Sequence, residues 1–117
     1  MKTDEYVLER LGQEDASASA KQTKRWLENS DLKPVGRGPA SVTVKEALRL
    51  WRTRLRNIEF TKKPINGLPE LIRGLESLAP QRKVDQFGFT GSTSVATLFF
   101  DRQKGQYIGS AVVERRK

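Results

Sequence analysis

About three-quarters of the way along this chain the apolar residues stop recurring every third or fourth position and begin to alternate. That switch of period constrains the fold more than any other feature of the sequence. Val44, Ala47, Leu48, Trp51, Leu55 and Ile58 fall at spacings of three and four, a single apolar seam along a helix of about four turns. Val95 to Phe100 and Gln106 to Val113 are instead rich in β-branched and aromatic residues. Between them, Asp101-Arg102-Gln103-Lys104-Gly105 reads as a type I turn with Gly105 in the left-handed position, which predicts a β-hairpin. Both faces of that hairpin carry apolar residues. A lone hairpin is marginal in water, so one face is expected on the helices and the other is left for an oligomer contact.

Three further helices are expected. Val7, Leu8 and Leu11 make one face of a short helix from Asp4 to Leu11, closed by Gly12. A small polar connection with Ser17 or Ser19 as N-cap leads to a second helix ending near Asn29, with Ala20, Thr23 and Leu27 inward and Trp26 as a core anchor beside them. The central helix opens on a capping box, Thr43 at N-cap and Glu46 at N3. Leu68-Pro69 opens the last helix, whose core face is Leu68, Leu71, Ile72, Leu75 and Leu78 and which Ala79-Pro80 stops. Between helices, Ser30 to Ser41 is turn chemistry or a short β excursion that tucks Leu32 and Val35 inward. Glu59 to Gly67 is a break with Phe60 and Ile65 inward, and Phe87 to Ser94 is an aromatic and glycine loop. The predicted architecture is α+β: one domain over residues 1–117 with about four helices followed by a C-terminal antiparallel hairpin. Residues 4–58 form a helix-turn-helix-like part, and 59–117 complete the core or make a dimer contact.

The 117 residues include no Cys and no His, which removes disulfides, thiolate nucleophiles, the commonest general base and the usual zinc ligands. Acidic residues are scattered rather than paired, so no catalytic residues, cofactor or metal are expected. No apolar run reaches membrane-spanning length and no signal-peptide pattern opens the chain, so a soluble cytoplasmic protein is expected. The net charge of +8 is unevenly placed. Residues 1–20 carry −3, residues 21–63 carry +8 and residues 64–117 carry +3. Concentrated positive charge favours phosphate-bearing partners through counterion release. Lys45, Arg49, Arg52 and Arg56 recur at four, three and four, a cationic ridge on the helix that bears the apolar seam.

Gln22-Thr23-Lys24-Arg25-Trp26-Leu27, followed by Leu32-Lys33-Pro34-Val35-Gly36-Arg37 and then the helix beginning Val44-Lys45-Glu46-Ala47, resembles the recognition helix, wing and next helix of winged helix-turn-helix proteins of the MerR and phage terminase small-subunit kind. The resemblance implies double-stranded DNA binding, DNA ahead of RNA, by a homodimer. It would place Lys21, Gln22, Lys24 and Arg25 nearest the bases, Arg37 at the backbone or minor groove, and Lys45, Arg49, Arg52 and Arg56 on phosphates. The expected function is non-enzymatic nucleic-acid binding in a regulatory, plasmid or phage setting. Two alternatives stay open: a protein-interaction module whose ridge meets an acidic protein partner and whose hairpin lends an edge, and a small basic nuclease or toxin using Arg and Glu.

Overall fold

The hairpin read from the sequence is the middle of a larger sheet. A computed structural model describes residues 3–61 and 65–114, with side-chain surroundings described for 3–57 and 65–114. In chain order the elements are α1 (Thr3–Leu11), α2 (Ala18–Glu28), β1 (Lys33–Thr43), α3 (Val44–Thr61), β2 (Ile65–Asn66), α4 (Leu68–Glu76), β3 (Lys83–Thr90), β4 (Ser94–Asp101) and β5 (Tyr107–Glu114). The four expected helices are present. The single hairpin is corrected to a five-stranded antiparallel sheet in the order β1-β3-β4-β5-β2, most of it from the C-terminal half of the chain.

Local chemistry explains the element ends. The Ser17 hydroxyl accepts the Ala20 amide at the start of α2, and at the start of α3 the Thr43 hydroxyl accepts the Glu46 amide and donates to the Glu46 carboxylate. Gly105 adopts φ +65° and donates its amide to the Asp101 carbonyl, closing the β4–β5 turn as the sequence suggested.

One segment read as a loop is part of a strand, and the one read as turn chemistry or a short β excursion is a strand of 11 residues. Phe87-Gly88-Phe89 lies in β3, with Phe87 opposite Leu98 and Phe89 opposite Ala96, and both aromatic rings are buried. Lys33 to Thr43 is the edge strand β1. Opposite the single residue Phe87 it carries four, Gly36, Arg37, Gly38 and Pro39, between the pairs Val35–Gly88 and Ala40–Gln86. Gly36 and Gly38 take φ of +80° and +129°, values that need glycine. Such a bulge, with its proline and its one charge, is how an edge strand resists pairing with another chain. Leu32 is buried as expected, but Val35 is 55% exposed because it stands at the bulge.

The alternation of β4 places apolar residues on both faces. Ala96, Leu98 and Phe100, with Phe87 and Phe89, pack against Val7, Leu11, Ala20 and Leu27 of α1 and α2. Phe99, with Val84 and Ala111, packs against Val44, Ala47, Leu48 and Trp51 of α3 and Leu68, Leu71, Ile72 and Leu75 of α4. The hairpin face expected to serve an oligomer is therefore covered within the chain. The same layering overturns the helix-turn-helix-like arrangement of residues 4–58. A strand of 11 residues separates α2 from α3, and the two helices lie on opposite faces of the sheet instead of side by side. Ile65 packs on the α3/α4 core as expected, whereas the side chains of Ile58 and Phe60 lie outside the described residues, as does the tail Arg115-Arg116-Lys117. No helix among the described residues is long and apolar enough to cross a membrane.

One polar pair anchors the end of this sheet. The Asp101 carboxylate, 4% exposed as a residue, accepts Arg82 Nε at 2.9 Å and Nη2 at 2.6 Å, and also the Gln103 amide. Arg82 holds the Asp101 carboxyl below the ordinary carboxylate range, against the opposing effect of burial. Since the native state favours the ionised form more than the unfolded chain does, the stabilisation is complete above the unfolded value of about 4 and disappears as pH falls through the lower native value. Asp101→Asn, which leaves the Arg82 guanidinium without its counter-charge, is expected to cost about 3 kcal/mol in urea unfolding at neutral pH. The variant should also lose part of the acid-induced drop in stability that the wild type shows.

Candidate functional site

The cations singled out in the sequence fall into three places. Lys21, Gln22 and Arg25 are exposed on α2, and Lys24 is partly buried and paired with Glu28 at 3.4 Å. Trp26 is 38% exposed there, and its ring lines a depression with Asn66, Ser94 and Val112 instead of entering the core. α2 is short and buries only Ala20 and Leu27. Arg37 is exposed on the β1 bulge. Lys45, Arg49, Arg52 and Arg56 are exposed along α3, on the flank of the helix turned toward the end of α4, and Trp51 on its inner side is buried as expected. They span about 16 Å of helix axis.

The structure therefore unites the four α3 cations and keeps those of α2 apart, on the other side of the sheet. Electrostatic balance separates the two groups further. Residues 3–32, which build the α1/α2 layer, contain four basic and seven acidic residues; residues 33–57 contain seven basic and one acidic. The α2 cations thus sit in a layer that is net negative, whereas the α3 ridge stands in the positive part of the molecule.

The positive surface extends beyond the ridge. Lys45 and Arg49 line a shallow depression of about 570 Å³ with Thr43, Glu46, Pro80 and Gln81. Gln81 also lines a neighbouring one of about 480 Å³, with Arg82, Lys83, Arg102 and Gln103. Arg102 is steered there by a hydrogen bond from its Nη1 to Ser41 Oγ at 2.7 Å, and its amide donates to the Lys83 carbonyl. Close by, burial holds the Asp85 carboxyl above its ordinary range against the pull of Arg102. Lys83 and Arg102 escaped the sequence analysis. They are 19 residues apart and meet only because Val84 pairs with Asp101, a register that no local pattern announces.

Few of these cations serve the fold. Among the described residues only Arg52 of the ridge has an acidic partner, Glu76, whose Oε2 lies 2.7 Å from Arg52 Nη2. Arg54, off the ridge, lies over the Trp51 ring with its guanidinium carbon 4.5 Å from the ring centre. Lys45 occupies the first turn of α3, where a positive charge opposes the helix dipole, and the ridge cations repel one another at spacings of three and four. A row of charges that works against its own helix is suited to holding anions.

Comparison with protein-family models, with curated protein sequences and with solved structures returns no match to this chain.

The triple variant Lys45→Ala, Arg49→Ala, Arg56→Ala is expected to fold normally. At low salt it should be as stable as the wild type or more stable by about 0.5 to 1 kcal/mol, because each like-charge pair it removes is worth a few tenths. Chemical unfolding at low and high salt checks this, and the difference should vanish as salt screens the ridge.

Proposed function

We propose that this protein binds double-stranded nucleic acid, without catalysing a reaction, by laying α3 along the phosphate backbone. The observation that carries this reading is the exposed row Lys45, Arg49, Arg52 and Arg56, continued by Lys83 and Arg102 around Gln81. A straight, rigid row of charges about 16 Å long matches the rail of phosphates that a duplex presents better than it matches a small anion. The interaction is one of charge and shape. The α2 residues Lys21, Gln22, Lys24 and Arg25 have no part in it, since they lie across the sheet, and base reading by α2 is not part of the proposal.

A second reading, a module that docks an acidic protein partner, is favoured by one contact. Arg52 already takes a carboxylate from a neighbouring helix at 2.7 Å, so the ridge accommodates acidic side chains.

Fluorescence anisotropy with a labelled random-sequence DNA duplex at several salt concentrations separates the two. Under the first reading, affinity falls steeply with salt, with a log–log slope of about 3 to 5 for a ridge of this size. The Lys45/Arg49/Arg56→Ala variant should lower that slope by about 2 to 3, whereas Lys21/Lys24/Arg25→Ala should leave it unchanged. Absence of duplex binding at low salt would turn the choice to the acidic protein partner.

A further inference from the structure

The one ion pair on the ridge among the described residues has a feature that the stability of the fold does not require. Glu76 is the last residue of α4, where a negative charge opposes the helix dipole. Both its side chain and that of Arg52 are about half exposed, 48% and 47%, so their contact adds little to stability. Yet the contact is made at 2.7 Å, to the third cation in a row of four, flanked by Arg49 and Arg56.

Resting on the duplex-binding reading, we infer that Glu76 is a built-in stand-in for a phosphate, occupying the place beside Arg52 where a backbone phosphate would sit and so setting how tightly the α3 face holds polyanions. In the free protein it neutralises one of the four ridge charges and relieves the repulsion between Arg52 and its neighbours. When a duplex approaches, each phosphate that would reach Arg52 must displace a carboxylate or meet its negative charge. Bound affinity is therefore held below what four free cations would give, and release remains fast.

The test uses the full chain and the same labelled duplex. Glu76→Gln keeps the shape and hydrogen-bonding capacity of the side chain and removes its charge. It is expected to tighten duplex binding about three- to tenfold at moderate salt and to steepen the log–log salt slope by about 0.9, one additional phosphate contact. Glu70→Gln is the control. It removes the same charge from the same helix, but Glu70 is paired at 3.6 Å with Arg73 rather than with a ridge cation, so a smaller gain and an unchanged slope are expected. If the wild type binds and Glu76→Gln behaves like the wild type or like Glu70→Gln, the inference about Glu76 falls while duplex binding stands. If the wild type shows no salt-dependent binding, both fall together.

Discussion

A β-strand that is apolar on both faces cannot rest against a single layer of helices, and β4 is such a strand. Ala96, Leu98 and Phe100 point one way and Phe99 the other, so water must be excluded from both sides of the sheet. That requirement distributes the four helices in two pairs. Helices α1 and α2 cover the face lined by Phe87 and Phe89, and α3 and α4 cover the face lined by Val84 and Ala111. The chain passes from one face to the other by way of β1, which doubles as the sheet edge. Its glycine and proline bulge then limits the damage an exposed edge can do. The Arg82–Asp101 pair closes the end of the sheet nearest the ridge, and Lys83 and Arg102, the residues beside each partner in sequence, extend the positive surface there.

The same partition decides how charge can be used. Because the α1/α2 layer is net negative and the α3 flank strongly positive, the molecule has a polarity that the overall charge of +8 conceals. A cation on α2 pairs with Glu28 within its own helix, whereas most ridge cations form no ion pair among the described residues, although Glu46 stands beside Lys45 and Arg49. Helix α3 thus combines an inner seam that fixes it to the sheet through Trp51 and its neighbours with an outer row of charges that destabilises it slightly. Residues kept at a cost to their own helix are reasonable places to look for binding.

Much of this was legible in the sequence, and the parts that were not share one cause. The helices, their caps at Ser17 and Thr43, the left-handed Gly105 and the ridge on α3 are all local patterns, set within a few residues by spacing or by a single hydrogen bond. Strands β1 and β3 are defined by each other. Gly36, Gly38 and Pro39 look like a loop because they form a bulge, and Phe87-Gly88-Phe89 looks like one because its glycine interrupts an otherwise clear alternation. Helices α2 and α3 are neighbours in the chain, and it is the pairing of β1 with β3, between residues about 50 positions apart, that sends them to opposite faces of the sheet. The exposure of Trp26 has the same origin, since it depends on where α2 lies on the sheet rather than on the composition of α2.

The measurement that bears most directly on this account is a heteronuclear NMR titration of the isotope-labelled protein with a short DNA duplex, read as a map of perturbed amides. Shifts gathered on α3 from Lys45 to Arg56 and at Lys83 and Arg102, with Lys21 to Arg25 undisturbed, are the expected result. Shifts centred on α2, or spread evenly over both faces of the sheet, would contradict it.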